Sequence, residues 1–223
     1  MQAEGSGVRP KKFMSVNLGG GSPATVRLAA TTVHPLRIGE ISSVMRLYRG
    51  QPAPSRALFH PLPFDRLRLG GFLLYVVATR RLAHRLLPHP RVRVAIVLTV
   101  HADGSDAPVG FGLVGFDRRG PNPRATFGYL VDERYRGRGL GTRLHEEMID
   151  AALGLGVHRG GGTVLATNLP NLRLLERLGF TITPTEIRDA AATDVANFVT
   201  DGDLAAISAR FHAAAGRPPV PPA

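Results

Sequence analysis

Between Arg134 and Gly141 the chain reads Arg-Tyr-Arg-Gly-Arg-Gly-Leu-Gly, three arginines and three glycines in eight positions. Leu140, Leu144, Met148, Ala152 and Leu155 then recur every three or four residues, the spacing of an amphipathic helix. A helix opens with unpaired backbone N–H groups and a partial positive charge. Gly137, Gly139 and Gly141 leave those amides unshielded, and Arg136 and Arg138 add full charges, so the segment suits an anion such as a pyrophosphate. It lacks the Gly-Lys-Ser/Thr ending of a Walker loop. Its G-x-G-x-G spacing, late in the chain, also departs from the dinucleotide G-x-G-x-x-G. A nucleic acid, or a plain glycine-rich turn with solvated arginines, are the alternatives.

The elements that present this loop follow from periodicity. Residues 1–23 are polar and Gly-rich and are expected to be disordered. Residues 24–29 alternate as a strand, and Leu36 to Tyr48 have helical spacing. The segment QPAPSRALFHPLPFD (51–65) is too rich in proline for a helix and reads as a long ordered loop. Helical periodicity runs from about Arg66 to about Pro88, with a break expected at Gly70-Gly71. Strands follow at 91–100 and 108–116, around an Asp103-Gly104 reversal, and at 124–131. Beyond the loop and its helix come a strand at 162–167 and a short helix bounded by Pro170 and Gly179. Strands in TITPTE and TDVANFVT, a helix at 203–216 and a loose tail at 217–223 close the chain. The order predicts an α/β domain at 24–200 with a mixed central sheet and helices on both faces, followed by a C-terminal helix at 201–216. Strands 124–131 and 162–167 should be parallel neighbours joined by a right-handed crossover.

The 223 residues suit one well-filled domain. No cysteine is present, which excludes disulfide scaffolds, thiolate metal sites and a cysteine nucleophile. The net charge of +11 rests almost wholly on arginine. A GC-rich genome or an anionic partner would each produce it. The arginines are scattered and aromatics are sparse, so a nucleic-acid partner is not favoured. No apolar run approaches a membrane span, and the first residues lack the apolar core of a signal peptide, so a cytoplasmic protein is expected. His84 and His89 are oddly spaced for ligation, and no carboxylate cluster is visible, so no metal is expected. His145, Glu146 and Glu147 read as a solvated helix face.

GYLVDERYRGRGLGTRL resembles the acetyl-CoA-binding motif of the GNAT superfamily of N-acetyltransferases, with Arg136-x-x-Gly139-x-Gly141 as its core. NLPNLRLLERLGF resembles the same family's second motif through Asn168 and Gly179-Phe180. The resemblance spans roughly 24–200 and is best over 124–180. It implies transfer of an acetyl group from acetyl-CoA to a primary amine by direct attack, with no covalent enzyme intermediate. It implies a V-shaped splay between the fourth and fifth strands, the fourth ending in a bulge. Pantetheine would pair with the backbone of Tyr129, Leu130 and Val131, and the pyrophosphate would sit on the amides from Gly137 through Arg138, Gly139, Leu140 and Gly141 to Thr142, beside Arg136. A backbone N–H near Leu130 would polarise the thioester carbonyl. The family's usual Glu and Tyr positions are Thr126 and Leu175 here, so both habitual proton handlers are missing. Tyr129, His60 and Asn168 are the substitute candidates, and Asn168 would also orient the cofactor. The partners implied are acetyl-CoA and an unidentified amine, in a monomer or homodimer. A module that binds acyl-CoA without turnover is the alternative.

Overall fold

The computed structural model describes residues 31–58, 69–78, 95–101, 107–117, 123–185 and 197–216. Within these, seven strands form one sheet in the order β1-β2-β3-β4-β5-β7-β6. They are β1 (Thr32–Pro35), β2 (Ala95–His101), β3 (Gly110–Asp117), β4 (Arg124–Val131), β5 (Arg159–Leu165), β6 (Thr181–Thr185) and β7 (Asn197–Asp203). Helices are α1 (Ile41–Gly50), α2 (Ala53–Leu58), α3 (69–78), α4 (Leu140–Leu153), α5 (Leu169–Leu178) and α6 (Leu204–Ala214). Neighbouring strands are antiparallel except β4 and β5, which are parallel and joined through α4 as expected.

Period-two alternation along β3 feeds two cores. Phe111 and Leu113 pack with Val44 and Leu47 of α1 and with Leu73 and Val76 of α3. Val114 and Phe116 join Leu144 and Met148 of α4, Leu174 and Leu175 of α5, and Leu204 and Ile207 of α6. The sheet is thus covered on both faces, in agreement with the expected fold class. The C-terminal helix is part of this packing. Asp203 caps it by accepting from the Ala206 N–H at 3.1 Å. Ser208 donates to Asp150 at 2.8 Å and His212 meets the other oxygen of that carboxylate at 2.9 Å, which ties α6 to α4.

Three local expectations are corrected. Residues 53–58 are helical despite their proline, because Pro54 falls in the first turn, where a backbone N–H would have no partner anyway. α3 runs unbroken through Gly70-Gly71, with Gly70 set close against α1: a Cβ there would lie 3.2 Å from the Met45 sulfur. β5 starts at Arg159, three residues before the expected 162, and ends at Leu165. Its Gly160-Gly161-Gly162 run carries no strand signal of its own, and pairing with β7 imposes the extended form. The expected strand at 24–29, the terminal segments 1–23 and 217–223, and the Asp103-Gly104 reversal lie outside the described residues.

Candidate active site

β4 and β5 pair at only three positions, Arg124↔Arg159, Ala125↔Gly160 and Thr126↔Gly161. Beyond Thr126 they part. No bulge causes this: β4 keeps an unbroken register with β3 from Arg124 to Val131, which corrects the expected bulge. The cause lies on the other strand, which stays in register with β7 along its whole length. Thr200 Oγ1 donates to the Gly162 carbonyl at 3.1 Å and accepts from the Gly162 N–H at 3.0 Å. A Cβ on Gly161 would sit 1.9 Å from the Thr200 carbonyl oxygen, so only glycine lets the strands approach this closely. Each half of the sheet follows its own outer neighbour, and a cleft of about 280 Å³ opens between them.

The glycine-rich loop closes one end of the cleft. Asp132 starts a short turn by accepting from the Arg134 N–H at 3.0 Å, and the Arg134 guanidinium also binds its carboxylate. That guanidinium holds the Asp132 carboxyl below the ordinary carboxylate range. Gly137 (φ 73°) and Gly139 (φ 79°) are both left-handed, a conformation glycine adopts without strain, and Gly139 caps α4. The two residues are exposed and line the cleft together with Arg136, Leu140 and Gly141. Gly141 has a further role, since a Cβ there would press to 3.1 Å from the Tyr129 ring. Arg136 pairs with Glu133 at 3.0 Å, and Arg138 lies over the Tyr135 ring at 5.3 Å.

Tyr129, Leu130 and Val131 line the opposite wall, with Asn168 and Asn171 at the start of α5. The Tyr129 hydroxyl donates to Asn171 Oδ1 at 3.1 Å. Burial pushes the phenol up to about 12 against the lowering effect of Arg136 and Arg177, so it stays protonated at neutral pH. Its ring stands edge-on to His145, centroids 4.6 Å apart. His145 is not on a solvated face: it is 2% exposed, and burial lowers its pKa to about 4, opposed by the Gly141 carbonyl. The imidazole is therefore a neutral wall of the cleft. Ile149 and Ala152, both buried, follow it at four and seven residues, and that widened stripe is the signal that was legible in the sequence. Glu146 and Glu147, by contrast, are half-buried and pair with Arg143.

The cleft brings together Tyr129, Leu130, Val131, Arg136, Gly137, Gly139, Leu140, Gly141 and Asn168. Arg138 and Thr142 lie beside it, on the loop and in the first turn of α4. His60, His84 and His89 fall outside the described residues. Leu175 is buried and lines the cleft. Thr126 donates to the Gly115 carbonyl at 3.3 Å, at the point where the strands part. No carboxylate is among the described lining residues. The sequence reading also missed Asn171 and Ser55 in the lining, and the meeting of His34, Glu40 and His101 elsewhere. No described helix is long and apolar enough to cross a membrane.

Residues 75–180 match the acetyltransferase (GNAT) family. No curated protein matches the chain in sequence. RimJ of Mycobacterium smegmatis, solved with CoA-disulfide, is 20% identical, with a TM-score of 0.62 over 84% of this chain and 90% of RimJ. Spermidine N-acetyltransferase of Vibrio cholerae, solved with CoA and spermine, is 14% identical, with a TM-score of 0.59 over 79% and 97%. The protein yncA of Salmonella typhimurium, solved with its cofactor acetyl-CoA, is 19% identical, with a TM-score of 0.58 over 78% and 94%. The motif-bearing loop, the parted strands and the sequence match point the same way: residues 75–180 match the acetyltransferase (GNAT) family, and the chain shares the fold of these solved acetyltransferases.

Proposed function

We propose that the protein moves an acetyl group from acetyl-CoA to a primary amine by direct attack on the thioester. The observation that carries this reading is the parting of β4 from β5 after Thr126↔Gly161, with the left-handed Gly137 and Gly139 at the cleft's end. Pantetheine takes the place of the missing strand along Tyr129–Val131, donating and accepting as a β-partner would. The pyrophosphate sits on the amides of Gly137–Thr142, at the positive end of α4, with Arg136 and Arg138 beside it. Asn168 orients a cofactor or acceptor amide. The acceptor amine attacks the thioester carbon, the oxyanion is held by a backbone N–H near Leu130, and the carbon–sulfur bond breaks to release CoA thiolate.

Magnitudes decide the role of Tyr129. A thiol near its ordinary pKa of about 8.5 is more acidic than a phenol at about 12. Full proton transfer from Tyr129 to the thiolate is then uphill by about 5 kcal/mol. Tyr129 therefore serves as a hydrogen-bond donor that turns from Asn171 to the departing sulfur, and the proton itself comes from the attacking amine through water. With Leu175 and Thr126 at the habitual positions, the described lining supplies no carboxylate base, so the amine reacts in its neutral form.

The same missing groups favour one second reading, a domain that holds acyl-CoA without turnover. Two measurements separate the possibilities. Acetyl-CoA should raise the melting temperature of the wild type, and Gly139→Glu, which sets a carboxylate where the pyrophosphate lies, should remove that rise. No rise at millimolar acetyl-CoA sinks both readings. Thiol release with a panel of small amines and lysine-bearing peptides identifies turnover, and its absence in a protein that does bind acetyl-CoA leaves the binding module.

A further inference from the structure

On the far side of the sheet from α5, three side chains distant in sequence converge. His34 lies in β1, Glu40 ends the turn before α1, and His101 is the last residue of β2. His101 Nε2 is 2.9 Å from Glu40 Oε1, and His34 Nε2 is 3.5 Å from the same oxygen. The two imidazoles stack with centroids 5.0 Å apart and planes 22° from parallel. The two rings thus converge on one carboxylate oxygen, and the three side chains present their candidate ligand atoms to one point.

We propose that His34, Glu40 and His101 bind a divalent transition-metal ion of the zinc type. Their candidate ligand atoms lie within 4.8 Å of one another, and this is the single such cluster among the described residues. Ligands about 2.0–2.1 Å from a tetrahedral ion stand about 3.3 Å from each other. The observed 2.9 and 3.5 Å separations bracket that edge. The surroundings orient His34 and Glu40 in the way outer-shell partners do. His34 Nδ1 is 3.1 Å from the Pro35 carbonyl, so a proton there has an acceptor and Nε2 keeps its lone pair for the ion. Glu40 Oε2 accepts from the Arg37 N–H at 2.9 Å and from the Thr99 hydroxyl at 3.4 Å, which turns Oε1 toward the rings. Two imidazoles and one carboxylate select zinc, nickel, cobalt or copper over magnesium and calcium, which prefer oxygen alone.

None of the three residues lines the cleft, so the ion has no part in acetyl transfer. It ties the start of α1 to the edge of the sheet across the 61 positions between Glu40 and His101. α1 leads directly into α2, whose Ser55 does line the cleft. The ion is thus a structural pin behind the helix that carries Ser55 to the cleft.

Untagged protein stripped with EDTA and titrated with ZnCl2 by calorimetry should bind one equivalent at micromolar or tighter concentration, with a rise in melting temperature of several degrees. His34→Gln, Glu40→Gln and His101→Gln should each weaken binding by at least tenfold, while His158→Gln, at an exposed position, leaves it unchanged. Substituting Co2+ in the wild type gives a readout that needs no variant to fold, a visible absorption band of low-symmetry nitrogen and oxygen ligation. Less than one equivalent bound at 100-fold molar excess of zinc over protein, no cobalt band, or binding that survives His34→Gln and His101→Gln overturns the proposal. The rise in melting temperature with acetyl-CoA is expected in all four variants, so the pin and the cleft are judged apart.

Discussion

At the scale of the residue, the cleft is defined by what its side chains cannot do. Tyr129 is held protonated by burial, His145 is held neutral by burial, and the described lining offers no carboxylate. Two predictions follow from these states. Tyr129→Phe should lower kcat by about ten- to a hundredfold with KM changed less than threefold, as expected for a donor that acts on the leaving group. An unchanged kcat in steady-state assays would show that water alone stabilises the departing thiolate. With no carboxylate base among the described lining residues, kcat/KM for a lysine-like amine should climb about tenfold per pH unit up to the amine's own pKa near 10. A break in that profile near pH 6.5–7, abolished by His60→Ala, would instead place His60 as the base.

His145 also links the cleft to stability. Its folded pKa of about 4 lies below the ordinary 6.5, so the native state resists binding a proton that the unfolded chain accepts. Stability is then full above pH 6.5 and falls between pH 6.5 and pH 4, by on the order of 3 kcal/mol. Denaturant melts of the wild type across this range should show the loss, and His145→Phe should flatten it. Equal slopes in the two proteins would count against a buried, neutral imidazole.

At the scale of the element, the cleft depends on where β5 goes rather than on a defect in β4. The contact of Gly161 with the Thr200 backbone holds β5 onto β7. Gly161→Ala forces a methyl group into main chain that has no rotamer to yield, so a loss of several kcal/mol or failure to fold is expected. Thr200→Val tests the same junction more gently. It removes the hydroxyl that serves both the N–H and the carbonyl of Gly162, at a cost of about 1–3 kcal/mol, read by chemical denaturation. At the other end of α5, Gly179 (φ 94°) turns the chain so that the Phe180 N–H reaches the Leu175 carbonyl at 2.9 Å, a helix stop that was readable from Gly-Phe alone.

At the scale of the molecule, five arginines of the described region pair locally with acidic side chains, while the net charge of +11 is unchanged by such pairs. Arg124 and Arg159 share Asp201, Arg134 holds Asp132, Arg136 holds Glu133, and Arg143 reaches Glu146 and Glu147. Such pairing argues against a continuous basic stripe for nucleic acid. A domain whose two cores share one sheet should respond to cofactor as a unit. Acetyl-CoA at a hundred times its Kd adds about 2.7 kcal/mol, which for a domain of this size raises Tm by about 5–10 °C. A rise confined to one of two separate transitions would show that the two faces unfold independently.

Wherever the signal was local, the sequence alone determined the outcome. The glycine- and arginine-rich loop at 134–141, the apolar stripe of α4 and the alternation of β4 are each local, so period and residue type were enough to place them, and the family resemblance named the loop's core. The parallel joining of β4 to β5 followed from a strand–helix–strand order and chain handedness. Tertiary structure decided what depended on neighbours distant in the chain. A triple-glycine run became a strand because β7 pairs with it, and the edge-on contact of Tyr129 with His145 joins a strand to a helix. His34, Glu40 and His101 meet because β1 pairs with β2 across a long insertion. Pairing and burial are properties of the partner as much as of the residue, and the partner is not written beside it in the sequence.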